Sequence, residues 1–286
     1  MKRGYIMKIN TQQNSEQTNT VFAANPVIRQ LNKVEEKAKQ GECATYAGIT
    51  VKTVFFLLMT VVGVAGYYLA HLYYFSTFEQ LNLISDDGLV ISYTANELIF
   101  VAAALLITII FPFLAVFLKK TIPVTGTIYS LSQGFLLGWT IHRCLQGFEH
   151  LALEALVITL IIVAVMAILY ATRIVKVTGK FRVVITTLFA TMILSSIIGF
   201  ILYFIPATTG FVSAFFDNPL FSIGFSVLGI ITATLFLLTD FDTIEKTVEN
   251  NLPKKYEWSA AFGLAFTVIW IYLKVLDLLL TLSKNK

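Results

Sequence analysis

Charged residues are scarce in this 286-residue chain, at 13% of the total, about half of the quarter that an ordinary soluble domain carries. So few charges cannot clothe a soluble globule of this size, and lipid must solvate much of the chain. Cysteine is nearly absent, with only Cys43 and Cys144, which leaves no disulfide framework and no zinc-ligand pattern. The histidines His71, His142 and His150 are equally few, and the set His142, Arg143, Glu149 and His150 fits no metal motif. Catalytic patterns are missing too. There is no HExxH, and Gly224-Phe225-Ser226-Val227-Leu228 lacks the second glycine of a nucleophile elbow, with no histidine after Ser226 to act as its base. Asp240 and Asp242 lie two apart, on different faces of any helix, and make no aspartic dyad. Enzymatic activity is therefore not expected. The amino end begins with polar residues and has no basic, apolar and cleavable succession, so no signal peptide is expected to be removed. No fixed-period repeat occurs.

What the chain has instead is apolar length, with 57% hydrophobic residues. A helix needs roughly 20 apolar residues to cross about 30 Å of hydrocarbon. Seven runs approach that size: Val51 to Tyr74, Leu98 to Leu118, Val124 to Ile141, Leu151 to Ala171, Val183 to Ile205, Leu220 to Leu238 and Ala260 to Leu280. The reading is an all-α membrane protein, a bundle of seven transmembrane helices. Of the 21 Lys and Arg residues, all but Arg143, Lys274, Lys284 and Lys286 fall in the amino tail, around Lys52, or in alternate loops. Because basic residues are retained on the inner side, this predicts a cytoplasmic amino terminus and an outer carboxyl terminus, as for a bacterial inner membrane. The net charge of +4 then reflects topology rather than nucleic-acid binding. It also puts Cys43 inside and Cys144 outside, too far apart for one disulfide.

Residues 1–20, rich in Gln, Asn, Thr and Ser, are expected to be a disordered tail. Residues 21–50, with Asn25-Pro26 ahead of Val27, Ile28 and Leu31, read as a cytoplasmic amphipathic segment able to lie on the membrane surface. The membrane domain then spans 51–286. Between the first two runs, Phe75 to Glu97 holds Glu79, Asp86, Asp87 and Glu97 without a basic residue. It reads as a solvated outer loop, with cation attraction as a second role. The third run is short, and Gly134 and Gly138 in it are spaced for close approach of a neighbouring backbone. Its Ser130, Ser132 and Gln133 need polar partners, so Ser130 and Gln133 are candidates for interhelical bonding or for lining a narrow wet cavity. His71, His142 and His150 read as interfacial side chains with their polar tips in water.

An ionisable residue inside a span costs roughly 2.5 to 3.5 kcal/mol on insertion scales and is by default a functional candidate. The sixth run ends in Asp240-Phe241-Asp242-Thr243-Ile244-Glu245-Lys246, and the seventh holds Lys274 and Asp277. Asp242 shares a face with Lys246. It is either half of a boundary salt bridge or a carboxylate able to exchange a proton or cation as a gate moves.

The segment from Asp240 to Glu245, followed by Tyr256-Glu257-Trp258-Ser259-Ala260-Ala261-Phe262-Gly263-Leu264 and Trp270-Ile271-Tyr272-Leu273, resembles the closing region of bacterial Bax inhibitor-1/YccA-like proteins. Asn25-Pro26, Thr50-Val51-Lys52-Thr53 and Tyr129-Ser130-Leu131-Ser132-Gln133-Gly134 are similar too. The resemblance implies a seven-helix bundle with a central last helix, and a pH-sensitive calcium leak gated by an acidic pair on the last two helices. Asp242 matches the sixth-helix acid. Lys274 stands where that family usually has an acid, and Gln133 where it often has glutamate. The seventh-helix counterpart of Asp242 is thus either Lys274 or Asp277, with opposite consequences for calcium, which seeks several oxygen ligands. Calcium would be a transported ion rather than a cofactor, and no resident cofactor is expected. The competing reading is a non-conducting interaction protein that modulates membrane proteases or other membrane proteins. Oligomeric state is not legible.

Overall fold

The computed structural model describes residues 43–75, 80–84, 90–203, 205–216 and 218–284. The tail at 1–20, most of the amphipathic segment at 21–50, and Glu79, Asp86 and Asp87 lie outside the described residues. The described chain is helical apart from one hairpin. Helix α1 is Tyr46–Tyr73, strands β1 (Gln80–Ile84) and β2 (Val90–Thr94) follow, and then come α2 (Ala95–Phe117), α3 (Ile122–Cys144), α4 (His150–Ala171), α5 (Gly179–Tyr203), the short α6 (Pro206–Phe216), α7 (Pro219–Glu249) and α8 (Tyr256–Lys284). The first helix starts at Tyr46, so the last residues of the 21–50 segment belong to the bundle.

Local signals fix the helix ends. Thr45 caps α1 by accepting from the Gly48 amide, and Thr94 caps α2 by accepting from Glu97. Asn218 accepts from the amides of Leu220 and Phe221 while Pro219 opens α7 without an amide to satisfy. The interval between α1 and α2, expected as a loop, contains instead the antiparallel pair β1 and β2, with Gln80 opposite Thr94 and Ile84 opposite Val90. Backbone hydrogen bonding between strands satisfies the polar chain there without any help from side-chain charge.

Among the described residues, six helices are long and apolar enough to cross a membrane: α1, α2, α4, α5, α7 and α8. The third expected run, Val124 to Ile141, does form a helix, α3, but its Thr, Ser, Gln and Gly residues keep it from meeting that standard. Its length of 23 residues gives about 34 Å, and it packs against α1, α2 and α8. The sixth run likewise continues past Leu238, because α7 has 31 residues. That is about 46 Å, well over the hydrocarbon thickness of about 30 Å. Its charged last turns extend one end of the bundle.

Helix α8 is the central one, in contact with α1, α3, α4 and α7. Its Ala260, Ala261 and Ala265 are buried and let neighbours come close, while Phe262 meets Phe56 of α1 and Tyr129 of α3 edge to face at 5.6 and 5.5 Å. Helix α1 shows how the bundle sorts side chains. Ile49, Thr53, Phe56, Thr60, Gly63 and Tyr67 are buried, whereas Val51, Val54, Leu58, Val61, Leu69 and Leu72 are exposed. Apart from Ile49, the buried side chains are small, polar or aromatic, and most of the aliphatic ones face outward, since lipid solvates leucine as well as a core does. Gly134 meets α1 where a Cβ would strike the Thr60 carbonyl, and at Gly138 a Cβ would lie 3.0 Å from Tyr67 Cβ and 3.1 Å from the Val64 carbonyl oxygen. The close approach expected of these two glycines is present.

Gly134→Ala should therefore lower stability by about 2 kcal/mol through overpacking, whereas Gly66→Ala, with open space at its Cβ, should be neutral or slightly stabilising through helix propensity. Thermal unfolding of the two variants in detergent, followed by circular dichroism, decides this, and equal midpoints would contradict the α1–α3 contact.

Candidate functional site

Basic residues gather at the end of the bundle where α1 and α8 begin and α7 finishes. Six residues, 250–255, connect α7 to α8, and the amide of Ala44 donates to the Leu252 carbonyl at 2.8 Å, tying the start of α1 to this turn. On the last turns of α7, Asp240 and Asp242 take different faces, as their spacing requires. Asp242 accepts from Lys246 at 2.8 Å, the expected boundary pair. It also accepts from the guanidinium of Arg182, on the first turn of α5. Glu245 accepts from Arg173, just past the end of α4, at 2.9 Å and from the Tyr170 hydroxyl on its last turn. Asp242, Glu245, Tyr170, Arg173 and Lys176 surround a cavity of about 240 Å³. Three helices thus bring their charges to one mouth.

Asp240 faces inward. It is 9% exposed, its Oδ1 lies against Gly263 of α8, and the Thr267 hydroxyl, which donates to the Gly263 carbonyl at 3.2 Å, is close by. Its Oδ2 is buried with no partner among the described residues. An unsatisfied buried carboxyl oxygen is costly. It sits immediately beneath the Asp242 cluster, in the interface of the two longest helices.

The seventh-helix counterpart expected for Asp242 is not there. Lys274 lays its stem over Gly229, its Nζ is 4.9 Å from the Phe225 ring centre and 4.0 Å from Asp277, and Asp277 accepts from Ser226 at 2.6 Å. Between Ser226 and Asp242, α7 rises roughly 24 Å, so neither Lys274 nor Asp277 meets Asp242. The reason is register. In an antiparallel hairpin with so short a turn, residue 240 falls beside 263 and 267, and residues 226 to 229 fall beside 274 to 277. On α3, Ser130 is buried with its hydroxyl unpartnered among the described residues, and Gln133 is partly buried. Both lie within the bundle, on a helix that packs against α1, α2 and α8.

The opposite end carries a second ion cluster that the sequence reading assigned to solvent. Glu97 is not a loop residue. It opens α2 and is wholly buried, held by Arg143 at 3.0 and 2.6 Å and by the Tyr67 hydroxyl at 2.9 Å. The signal for this was present, since Thr94-x-x-Glu97 is the start of a capping box. His71 and His142 are packed together, ring centres 4.4 Å apart, and the Nδ1 of His71 is buried, so their tips are not simply in water. Glu149 accepts from the Gly147 amide at 3.1 Å. A third pair escaped notice altogether: Glu257, fully buried at the start of α8, accepts from Lys52 of α1 and from the Thr45 amide at 2.8 Å.

The family comparison covers this whole architecture. A model of the family described as Bax inhibitor 1 like matches residues 25–284. The chain belongs to that family. No match is found among curated proteins. Membership together with the apolar helices makes the chain a multi-pass integral membrane protein. The Bax inhibitor 1 like match includes the Asp240 to Lys246 mouth, both last helices and the Glu97 to Arg143 cluster.

Glu97→Ala and Arg143→Ala should each cost about 3 kcal/mol, since each leaves a buried charge unpaired, and the double variant should cost much less than their sum. Chemical denaturation in detergent measures all three, and simple additivity would show that the pair is not coupled.

Proposed function

We propose that this protein is a gated small-cation leak, with calcium the first ion to test, whose closed state is held at the basic end by Arg182 and Lys246 on Asp242. The observation that carries the reading is Asp240, a buried carboxyl with one oxygen unpartnered among the described residues, placed between α7 and α8 directly under that charged cap. A cation leaving the mouth meets this oxygen first, with the Thr267 hydroxyl beside it. In this reading α3 is the seventh crossing, shielded by α1 and α2. The basic end is cytoplasmic and the carboxyl end outside, in a bacterial-type inner membrane. Parting of Asp242 from Arg182 and Lys246 would free the cap, and the pH dependence of the flux is the readout that ties the opening to a carboxylate. The charged groups around it are Arg182 from α5, Lys246 on its own helix, and Glu245, Arg173 and Lys176 across the cavity.

A second reading, a non-conducting protein that modulates membrane proteases or other membrane proteins, is favoured by one feature. Asp242 and Glu245 are both already neutralised by basic partners, so the mouth offers a free cation little.

The test is calcium flux into liposomes carrying an internal dye, measured from pH 6 to 8. Wild-type flux should rise as pH falls. Arg182→Gln should raise flux at pH 8 several-fold, Asp240→Asn should abolish it at every pH, and Lys274→Asp should leave it unchanged because Lys274 stands well away from the mouth. Absence of wild-type and Arg182→Gln flux alike, with correctly folded protein, would move the non-conducting reading to the front.

A further inference from the structure

A cavity of about 360 Å³ lies at the other end from the Asp242 mouth, among α5, α6, the first turns of α7 and the later part of α8. Its size falls in the range of small-molecule sites, roughly 300 to 1,000 Å³. Ser222 and Ser226 of α7, Phe200 and Tyr203 of α5, and Lys274 and Asp277 of α8 line it. Hydroxyls, rings and two opposite charges therefore share one wall system.

Lys274 is the unusual member. Its side chain is 18% exposed, and its stem lies close over Gly229, where a Cβ would stand 3.0 Å from the lysine Cδ. Its ammonium is 4.0 Å from Asp277, beyond hydrogen-bonding distance, and donates no hydrogen bond among the described residues. The ammonium stands half-buried at the cavity wall, where its donors are open to a ligand oxygen. Asp277 has one oxygen committed to Ser226 at 2.6 Å, and its side chain is 49% exposed. The pair is neutral overall, so the cavity has no net attraction for a simple anion or a simple cation. It complements a molecule that carries both charges a few ångströms apart.

We infer that this cavity binds a small zwitterion with an apolar side group, of the class of the apolar α-amino acids. Its anionic oxygens accept from Lys274 and the Ser222 hydroxyl, its ammonium donates to Asp277, and its apolar part lies along Phe200 and Tyr203. The same chemistry exists in a phosphoethanolamine headgroup. Lys274 is ten residues from the end of α8 at Lys284, about 15 Å of helix, and the free molecule is the occupant tested first. The site is independent of the leak proposed above, since no residue is shared.

The experiment is titration calorimetry on the purified full-length protein in detergent, with L-leucine and L-phenylalanine as probes and their methyl esters and N-acetyl derivatives as single-charge controls. A parallel arm uses native mass spectrometry to compare retention of phosphatidylethanolamine and phosphatidylglycerol. The free zwitterions should bind, and each single-charge derivative should bind at least about tenfold more weakly, the loss expected for one charged hydrogen bond. Lys274→Met and Asp277→Asn should each lose a similar factor, and Ser222→Ala a smaller one, with unchanged thermal unfolding showing that the variants are folded. Selective retention of phosphatidylethanolamine, lost in Lys274→Met, with no binding of the free amino acids, would keep the recognition chemistry but assign it to lipid. Failure of wild type to bind either source, equal binding of the esters and N-acetyl forms, or undiminished binding by folded Lys274→Met would overturn the proposal.

Discussion

The turn at residues 250–255 sets the register of α7 against α8, and with it the position of every ionisable group in the two longest helices. Once Pro253 is pinned beside Cys43 and α8 begins at Tyr256, the antiparallel pairing runs back up both helices without freedom to slip. Asp240 must lie against Gly263, and Gly229 must receive Lys274. One charged set is consequently left near the basic end and the other deep in the opposite half. Glu257, buried on the first turn of α8 and bound to Lys52 and Thr45, locks the same register to α1.

Hydrocarbon imposes the remaining arrangement. A polar side chain facing lipid has no partner, so the Thr, Ser and Gln of α3 turn inward, and that helix is enclosed by α1, α2 and α8. This is also why α3 is the least apolar of the long helices: its neighbours, rather than lipid, solvate it. The aliphatic stripe of α1 and the small-residue face of α8 are two outcomes of one rule, in which tight contact comes from small residues and lipid takes the bulky aliphatic ones.

The features legible in the sequence were those that depend on spacing within one segment. Helical runs, the close approach at Gly134 and Gly138, the divergent faces of Asp240 and Asp242, and the Asp242–Lys246 pair all follow from periodicity along a single helix. What escaped were partners fixed by tertiary contact. Arg182 reaches Asp242 from 60 positions away, and Arg143 reaches Glu97 from 46, with nothing in either local pattern to announce it. The counterpart assigned to Asp242 failed for a related cause. It was taken from motif correspondence, whereas contact between two helices is decided by turn length and pitch, which put Lys274 beside Gly229.

Burial separates the ion clusters that can switch from those that cannot. The carboxylates of Glu97 and Glu257 are fully buried and their basic partners nearly so, and parting such a pair costs about 3 to 5 kcal/mol. These are fixed joints between α1, α2, α3 and α8. Around Asp242 the bases are different: the side chains of Arg182 and Lys246 are 39% and 54% exposed, and Arg173 on Glu245 is more exposed still. Water can take over each of these bases as it leaves, so each pair contributes about 1 kcal/mol or less. A cap held by two or three such contacts is the weakest of the ion clusters, which is what the proposed gate requires of it. The rigid joints hold the register that keeps Asp240 in the α7–α8 interface, while the weak cap above it is the element free to move.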